Sequence, residues 1–446
     1  MHDRTLHGCT VLIAGAGLSG LTAAYELTRA GAKVIVCEAR DRVGGRVWTI
    51  REGFLAGQHA EAGGDLIEDE HEAVCTLAHT LHLTLGPILR TGFSFARRTR
   101  RGVVREGHAE PVWTSVKKRL RPWLRAYALS EQRWDSAIAA TLARMPAAQW
   151  LQERGATDRE RALVTGLRGF FLADPQDLSL LALVDQLAAG TPGRMRMSRV
   201  IGGNDLIATR LAARLAEPVL MKTVVRAIRQ NARGVRVTVE SQDGSHAEIA
   251  ADYAVVTLPA TTLRHVAFDP PLPDAQQRAI AELPYGPVTK TLLQCDHAFW
   301  RKPRHPRAYG TDLPTGAVWD GNEGQRGKAG ILVLMAGGGA SLETRRLTDK
   351  AGPQGLLREL QWLGAGETNV LNARVVTWEA DPWSGGGYAS FTVNYDATLR
   401  PWLARPHGRV LFAGEHTSLK WQGYMNGAVE TGQRAASEVR ALAGER

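Results

Sequence analysis

The sequence predicts a mixed α/β fold, and three observations carry that prediction. Residues 11–46 run strand, glycine-rich turn, helix and strand, the order of a βαβ unit. Residues 111–190 are rich in Trp, Leu, Ala and Arg and poor in strand signals, so they read as several helices inserted in the chain. Beyond residue 200, alternating and continuous apolar runs return, and with them sheet architecture.

Residues 11–14 are a short buried strand leading into Gly15-Ala16-Gly17-Leu18-Ser19-Gly20, a filled G-x-G-x-x-G. A helical stretch over 18–30 stops at Gly31, and a second apolar strand over 34–37 ends at Glu38, followed by Ala39 and Arg40. Gly15 permits the tight turn, Gly17 lets the backbone approach a pyrophosphate, and Gly20 lets the helix pack closely on the sheet. The helix N-terminus offers free N–H groups to phosphates. An acid about twenty residues past the glycines accepts hydrogen bonds from a ribose, and Glu38 stands there. Strand, turn, helix, strand and acid in order predict a dinucleotide site.

The chain then passes a glycine pair, Gly63-Gly64, followed by Asp65, where backbone has to come close to something. Val74, Leu77, Ala78 and Leu81 predict a helix over 71–83. Phe93 and Phe95 before an Arg cluster, with Val103-Val104 after it, predict a hairpin. Asn204 or Asp205 is placed to cap a helix striped by Ile207, Leu211 and Leu215. Val235, Val237 and Val239 alternate with polar residues before the Asp243-Gly244 turn, a hairpin signal. A buried strand over 254–258 ends at Pro259, and further strands are read at 289–293, 331–335 and 375–378. Residues 409–417 run from strand into a Gly-Glu turn, and a last helix starts near Gly427.

At 446 residues the chain has room for two or three domain-sized cores, and its 44% hydrophobic, 22% charged composition is that of a globular protein. It has no apolar run long enough for a bilayer span, and MHDRTLHGCT lacks the apolar segment of a secretory leader, which predicts a cytoplasmic protein. Four well-separated cysteines without a CxxC pair predict reduced thiols and neither a disulfide frame nor a metal site. The net charge of +10 is concentrated at residues 97–101 and 117–121; without a nucleic-acid motif these runs read as solvated faces, and no nucleic-acid partner is expected.

Four ordered motifs resemble the flavin-containing amine oxidases, the superfamily of monoamine, polyamine and L-amino-acid oxidases. Arg42-Val43-Gly44-Gly45-Arg46, directly after the ribose acid, resembles their second FAD signature. Residues 285–290 (YGPVTK) with Phe299-Trp300, residues 383–388 (WSGGGY), and residues 414–417 (GEHT) with 421–427 (WQGYMNG) match in order and spacing. The likeness covers most of the chain and is weakest across 90–195. It implies a Rossmann-like FAD-binding domain made of residues 1–89, 196–284 and 396–446. A substrate domain of helices over a mixed sheet, residues 90–195 and 285–395, is inserted into it.

The resemblance also implies roles. Gly15 to Gly20, Glu38, Ala39 and Arg40 hold the ADP half of FAD, and Gly44, Gly45 and Arg46 lie near the pyrophosphate. Gly64, Asp65 and Leu66 align with backbone beside the flavin, Val225 with a residue beside the adenine, Glu415 with an acid on the ribityl or phosphate side, and Met425 with an N–H donor to the ring. Tyr388 and Tyr424 correspond to an aromatic cage, and Lys290 to a lysine that reaches the reactive ring nitrogen through a water. A buried lysine needs such a partner, and two facing rings suit an amine. Trp383 and Trp421 are expected to shape the pocket.

Two departures refine this. Gly387 stands where some members attach FAD through a cysteine, so non-covalent FAD is expected. Leu66 stands where L-amino-acid oxidases carry the arginine that clamps a carboxylate, which favours amines. Glu68 aligns with an acid at the pocket mouth of polyamine oxidases. The expected reaction converts a primary or secondary amine to an imine, hydrolysed to an aldehyde or ketone, while molecular oxygen becomes hydrogen peroxide. An L-amino-acid oxidase or flavin desaturase on this scaffold, and a non-catalytic FAD-binding module, are the alternatives; a monomer and a homodimer both stay open.

Overall fold

In a computed structural model that describes residues 6–131, 133–189 and 196–444, four parallel strands form the sheet under the glycine motif. Their order is Lys33–Cys37, Thr10–Ala14, Tyr253–Val256 and Val410–Phe412. Residues 1–5 and the boundary placed at 195 lie outside the described residues. The two central strands are apolar runs without alternation because parallel strands are buried on both faces, and Val11, Leu12, Ile13 and Ala14 are wholly inaccessible. Helix Leu18–Arg29 crosses over to the second strand, and helix Met425–Gly444 lies against it. That contact is close because a Cβ on Gly432 would stand 2.4 Å from the Ser19 carbonyl oxygen.

Two local expectations change. The helix expected over 71–83 is Glu72–Thr80; it stops at Leu81, and His82 takes a positive φ of 56°. The helix after residue 204 is Leu206–Ala212, so Leu215 falls beyond it. Neither proposed cap residue caps it. Asp205 has helical backbone angles and pairs with Arg51, while Asn204 accepts the Val200 N–H and donates to the Gly64 and Asp65 carbonyls. Burying Asn204 at the glycine pair satisfies more backbone groups than one helix end would.

A seven-stranded mixed sheet joins two distant parts of the chain. Its order is Val370–Thr377, Val288–Cys295, Gly330–Gly337, Ala317–Asp320, Ala308–Thr311, Phe93–Thr99 and Gly102–His108. The last two are the expected hairpin. Strands 308–311 and 317–320 were not legible: four residues each, AYGT and AVWD, they are defined by their neighbours rather than by alternation. Helices between residues 110 and 189 cover this region, as their composition predicts. Strand Val288–Cys295 lies second from the edge, paired on both sides, and all eight of its residues are buried. A small sheet pairs Met197–Val200 with Ile67–Glu68 and Leu85–Ile88, which carries Arg199 to the residues after Gly64. Among the described residues no helix is long and apolar enough to cross a membrane, and none of the four cysteines is in a disulfide.

Candidate active site

One cavity of about 1380 Å³ is lined by residues from both sheets and from the inserted helices. Its nucleotide end is built by the glycine turn. A Cβ on Gly20 would stand 2.0 Å from the Gly15 carbonyl oxygen, so helix and turn touch there. A Cβ on Gly17 would meet nothing within 4 Å; the open space lies on the cavity side, a cradle that suits a pyrophosphate. Gly15, Gly17, Leu18 and Ser19 line the cavity, while Ala16 and Gly20 stand behind it. Glu38 is buried; its Oε2 accepts the Ala16 N–H at 2.8 Å and its Oε1 the Arg40 N–H at 2.9 Å, fixing the acid against the turn. Ala39, Arg40, Gly44, Gly45, Arg46 and Val225 line the same end.

Arg46 Nη1 donates to the Gly387 carbonyl at 2.8 Å and to Glu415 Oε1 at 2.9 Å, and Glu415 Oε2 accepts the Gly423 N–H at 2.8 Å. Burial pushes the Glu415 carboxyl up, but Arg46 outweighs it and holds the group below its usual range. Met425, at the start of the last helix, completes this wall.

Beside this wall stand Tyr388 and Tyr424. The Tyr388 ring packs on Gly423, whose Cβ would come within 3.0 Å of it. Tyr388 donates its hydroxyl to the Phe170 carbonyl at 2.6 Å, and the Tyr424 hydroxyl bonds Gln186 Oε1 at 3.2 Å, so the inserted helices hold both rings. Burial first, then the neighbouring Tyr424, raises the Tyr388 phenol; burial and Glu68 raise Tyr424, and both stay protonated. Phe93, Phe95, Phe170, Phe171, Leu167 and Leu183 supply apolar walls, with Glu68 and Asp185 as acids among them. Burial and then Glu70 push the Glu68 carboxyl up to about 7.

Lys290 is 2% exposed and lines the cavity. Its Nζ donates to the Gly63 carbonyl at 3.0 Å and to Asp65 Oδ2 at 3.0 Å. The same carboxylate oxygen accepts the Trp319 indole N–H at 2.9 Å, and Oδ1 accepts Arg199 Nε. Asp65, whose backbone is expected beside the flavin, lines the cavity, and its side chain is the centre of a buried charge cluster.

Of the two tryptophans expected to shape the pocket, only Trp383 lines the cavity. Trp421 does not line the cavity: its ring lies 5.7 Å from that of Tyr424, edge-on, and 4.8 Å from His71, so it backs the cage. Trp383 lines the cavity at the nucleotide end, where its backbone N–H donates to Asp381 Oδ1, the partner of Arg40.

Residues 18–440 match the family model for flavin-containing amine oxidoreductases. The chain belongs to the flavin-containing amine oxidoreductases. A Mycobacterium tuberculosis protein named as a flavin-containing monoamine oxidase, AofH, is 32% identical over 97% of this chain and 96% of its own length. Human flavin-containing amine oxidase B is 26% identical over 97% of this chain and 86% of its own. The solved cyclohexylamine oxidase of Brevibacterium oxydans superposes with a TM-score of 0.85 at 26% identity, covering 98% of this chain and 100% of that one. As a member of this family the chain is an oxidoreductase acting on amines, with an FAD-type Rossmann-like fold and a substrate domain.

For this amine oxidoreductase, sequence reasoning missed Phe170, Gln186, Asp185, Arg199 and Trp319. None sits in a motif, and each reaches the site only through pairing of distant strands or packing of inserted helices. The one local signal was Asp65 itself, an acid directly after a glycine pair.

Proposed function

We propose that the chain is an FAD-dependent amine oxidase that converts a primary or secondary amine to an imine, hydrolysed to an aldehyde or ketone, and reduces oxygen to hydrogen peroxide. The observation that carries this is one cavity lined in common by the glycine turn, Glu38, Tyr388, Tyr424 and Lys290. In this reading Gly17, Glu38, Arg46, Val225, Glu415 and Met425 hold the cofactor. Bound FAD supplies the two-electron chemistry between the amine α-carbon and oxygen.

The protein supplies the rest. Tyr388 and Tyr424 hold the neutral amine between ring faces, and the Phe and Leu walls keep water from it. Non-covalent FAD is supported at Gly387: a Cβ there would already stand 2.6 Å from Leu172 Cδ1 and from Val288 Cγ1, so a cysteine has no room. Leu66 leaves the expected carboxylate clamp absent, which supports amines over amino acids. Glu68 and Asp185 line the cavity near Tyr424, and a cationic second amino group on the substrate would favour their ionised forms, which supports a diamine. We divide the chain into the FAD and substrate domains at 89/90, 195/196, 284/285 and 395/396, and place it in the cytoplasm on its four cysteines outside any disulfide.

Anaerobic mixing with monoamines, diamines and L-amino acids tests the reading. Bleaching of the flavin absorbance by amines, fastest with a diamine, is the expected result. Bleaching by none of them, or by L-amino acids alone, overturns it. Acid precipitation should release all yellow colour into the supernatant.

A further inference from the structure

We propose that Asp65 is a positioning residue for Lys290: with Arg199 and Trp319 it holds the lysine as an ammonium at the cavity wall, with one N–H left for the flavin side. This rests on the placement of FAD along the cavity given above.

The geometry is closed on every side but one. A lysine ammonium has three donors. Two are taken, by the Gly63 carbonyl and by Asp65 Oδ2, each at 3.0 Å. The residue is almost fully buried but lines the cavity, so the third donor is the one left for whatever the cavity holds. Asp65, 7% exposed, is in turn bonded on both oxygens: Arg199 Nε on Oδ1, and Trp319 Nε1 beside Lys290 on Oδ2. Arg199 is anchored by the Gly321 and Asp320 carbonyls at 2.9 and 3.2 Å and does not line the cavity. The Lys290 ammonium also stands 5.1 Å from the centre of the Trp319 ring.

The charges facing Lys290 are Asp65, Arg199 and Glu61. Burial pulls the Lys290 ammonium below the ordinary lysine range, Asp65 pulls it back, and Arg199 opposes the charge. The carboxylate itself is pushed up by burial but held low by Arg199 and Lys290. Without Asp65, Lys290 would keep a buried arginine as neighbour with only Glu61 to offset it, and would give up its proton more readily, because a buried charge without a direct partner is costly. The cavity wall would then lose a cation, while Arg199 kept its own charge behind the wall.

Sulfite binding to the oxidised holoprotein, read as loss of flavin absorbance, measures that cation without any amine. It leaves negative charge on the flavin, which a neighbouring ammonium stabilises. At about neutral pH, Asp65→Asn should weaken sulfite binding about tenfold relative to wild type, the scale of one charge-assisted interaction. The deficit should shrink as pH falls and Lys290 regains its proton. Asp65→Glu, which keeps the charge, should stay within about threefold. In a Lys290→Met background Asp65→Asn should cause no further loss. Wild-type affinity in Asp65→Asn at every pH overturns the proposal, as does an equal loss in both lysine backgrounds or a tenfold loss in Asp65→Glu. If Asp65→Asn cannot retain FAD, the comparison of wild type with Lys290→Met decides: weaker binding by Lys290→Met that narrows above the lysine titration supports the proposal, and equal binding at neutral pH overturns it. An amine panel that leaves the flavin oxidised would strike the amine-oxidase reading and leave this comparison standing.

Discussion

Tyr388 and Tyr424 show how a side chain's role depends on what holds it. Each ring is fixed through its hydroxyl to an inserted helix, at Phe170 and Gln186. Tyr424→Ala removes one wall of the cage without touching the nucleotide end. It should leave yellow, FAD-loaded protein with turnover lowered about 100-fold, the cost of misplacing a reactant. Unchanged turnover would remove the cage from the account. Tyr388→Phe keeps the ring and loses the 2.6 Å bond, leaving the Phe170 carbonyl unpaired. It should destabilise the protein by about 1–3 kcal/mol with a smaller effect on turnover, checked by thermal unfolding beside steady-state kinetics. The two tyrosines were legible because each sits in a glycine-rich family motif. Gln186 and Phe170 were not, since a helix interior carries no mark of which residue its side chain or carbonyl will meet.

The glycine turn and the helix after it separate fold from ligand contact. Gly20 touches the Gly15 carbonyl, whereas Gly17 faces open space. Gly20→Ala forces helix Leu18–Arg29 away from the sheet and should cost about 1–3 kcal/mol, with loss of FAD as a consequence. Gly17→Ala should leave the apo-protein's Tm nearly unchanged while FAD retention falls, measured by gel filtration of yellow protein. Equal effects of the two substitutions would contradict the division of labour. This element was legible almost to its ends, because strand, turn and helix are specified by neighbours in sequence. Strand Val288–Cys295 was legible only as a strand. That it is paired on both sides, and so demands a partner for Lys290, follows from the two strands that flank it.

Across the whole molecule the buried charges set how stability responds to pH. Glu61 accepts the Asn204 N–H and the Thr49 hydroxyl, and burial, then Asp65, push its carboxyl up to about 7 from 4.5. Between those values the folded state binds the proton that the unfolded chain has released. This group's contribution is therefore complete below about pH 4.5 and is lost as pH rises through about 7. His71 and His416, drawn down to about 4 by burial, act in the opposite sense and cost stability as pH falls below about 6.5. Glu61→Gln isolates the first effect: its Tm relative to wild type should rise from about pH 5 to about pH 8. A difference that stays constant with pH would show that Glu61 does not titrate in that window.

What the sequence determined by itself was local: the βαβ unit with its glycines and acid, the helical character of the insertion, and the positions of Lys290, Tyr388 and Tyr424 inside motifs. These rest on turns, periodicities and short spacings that the chain writes consecutively. The tertiary structure alone decided what surrounds those residues. Asp65 meets Arg199 across 134 positions and Lys290 across 225, and Trp319 completes the cluster from a strand too short to read. No local pattern encodes such a meeting, because its stabilisation exists only once separate sheets have been brought together and water has left the space between them.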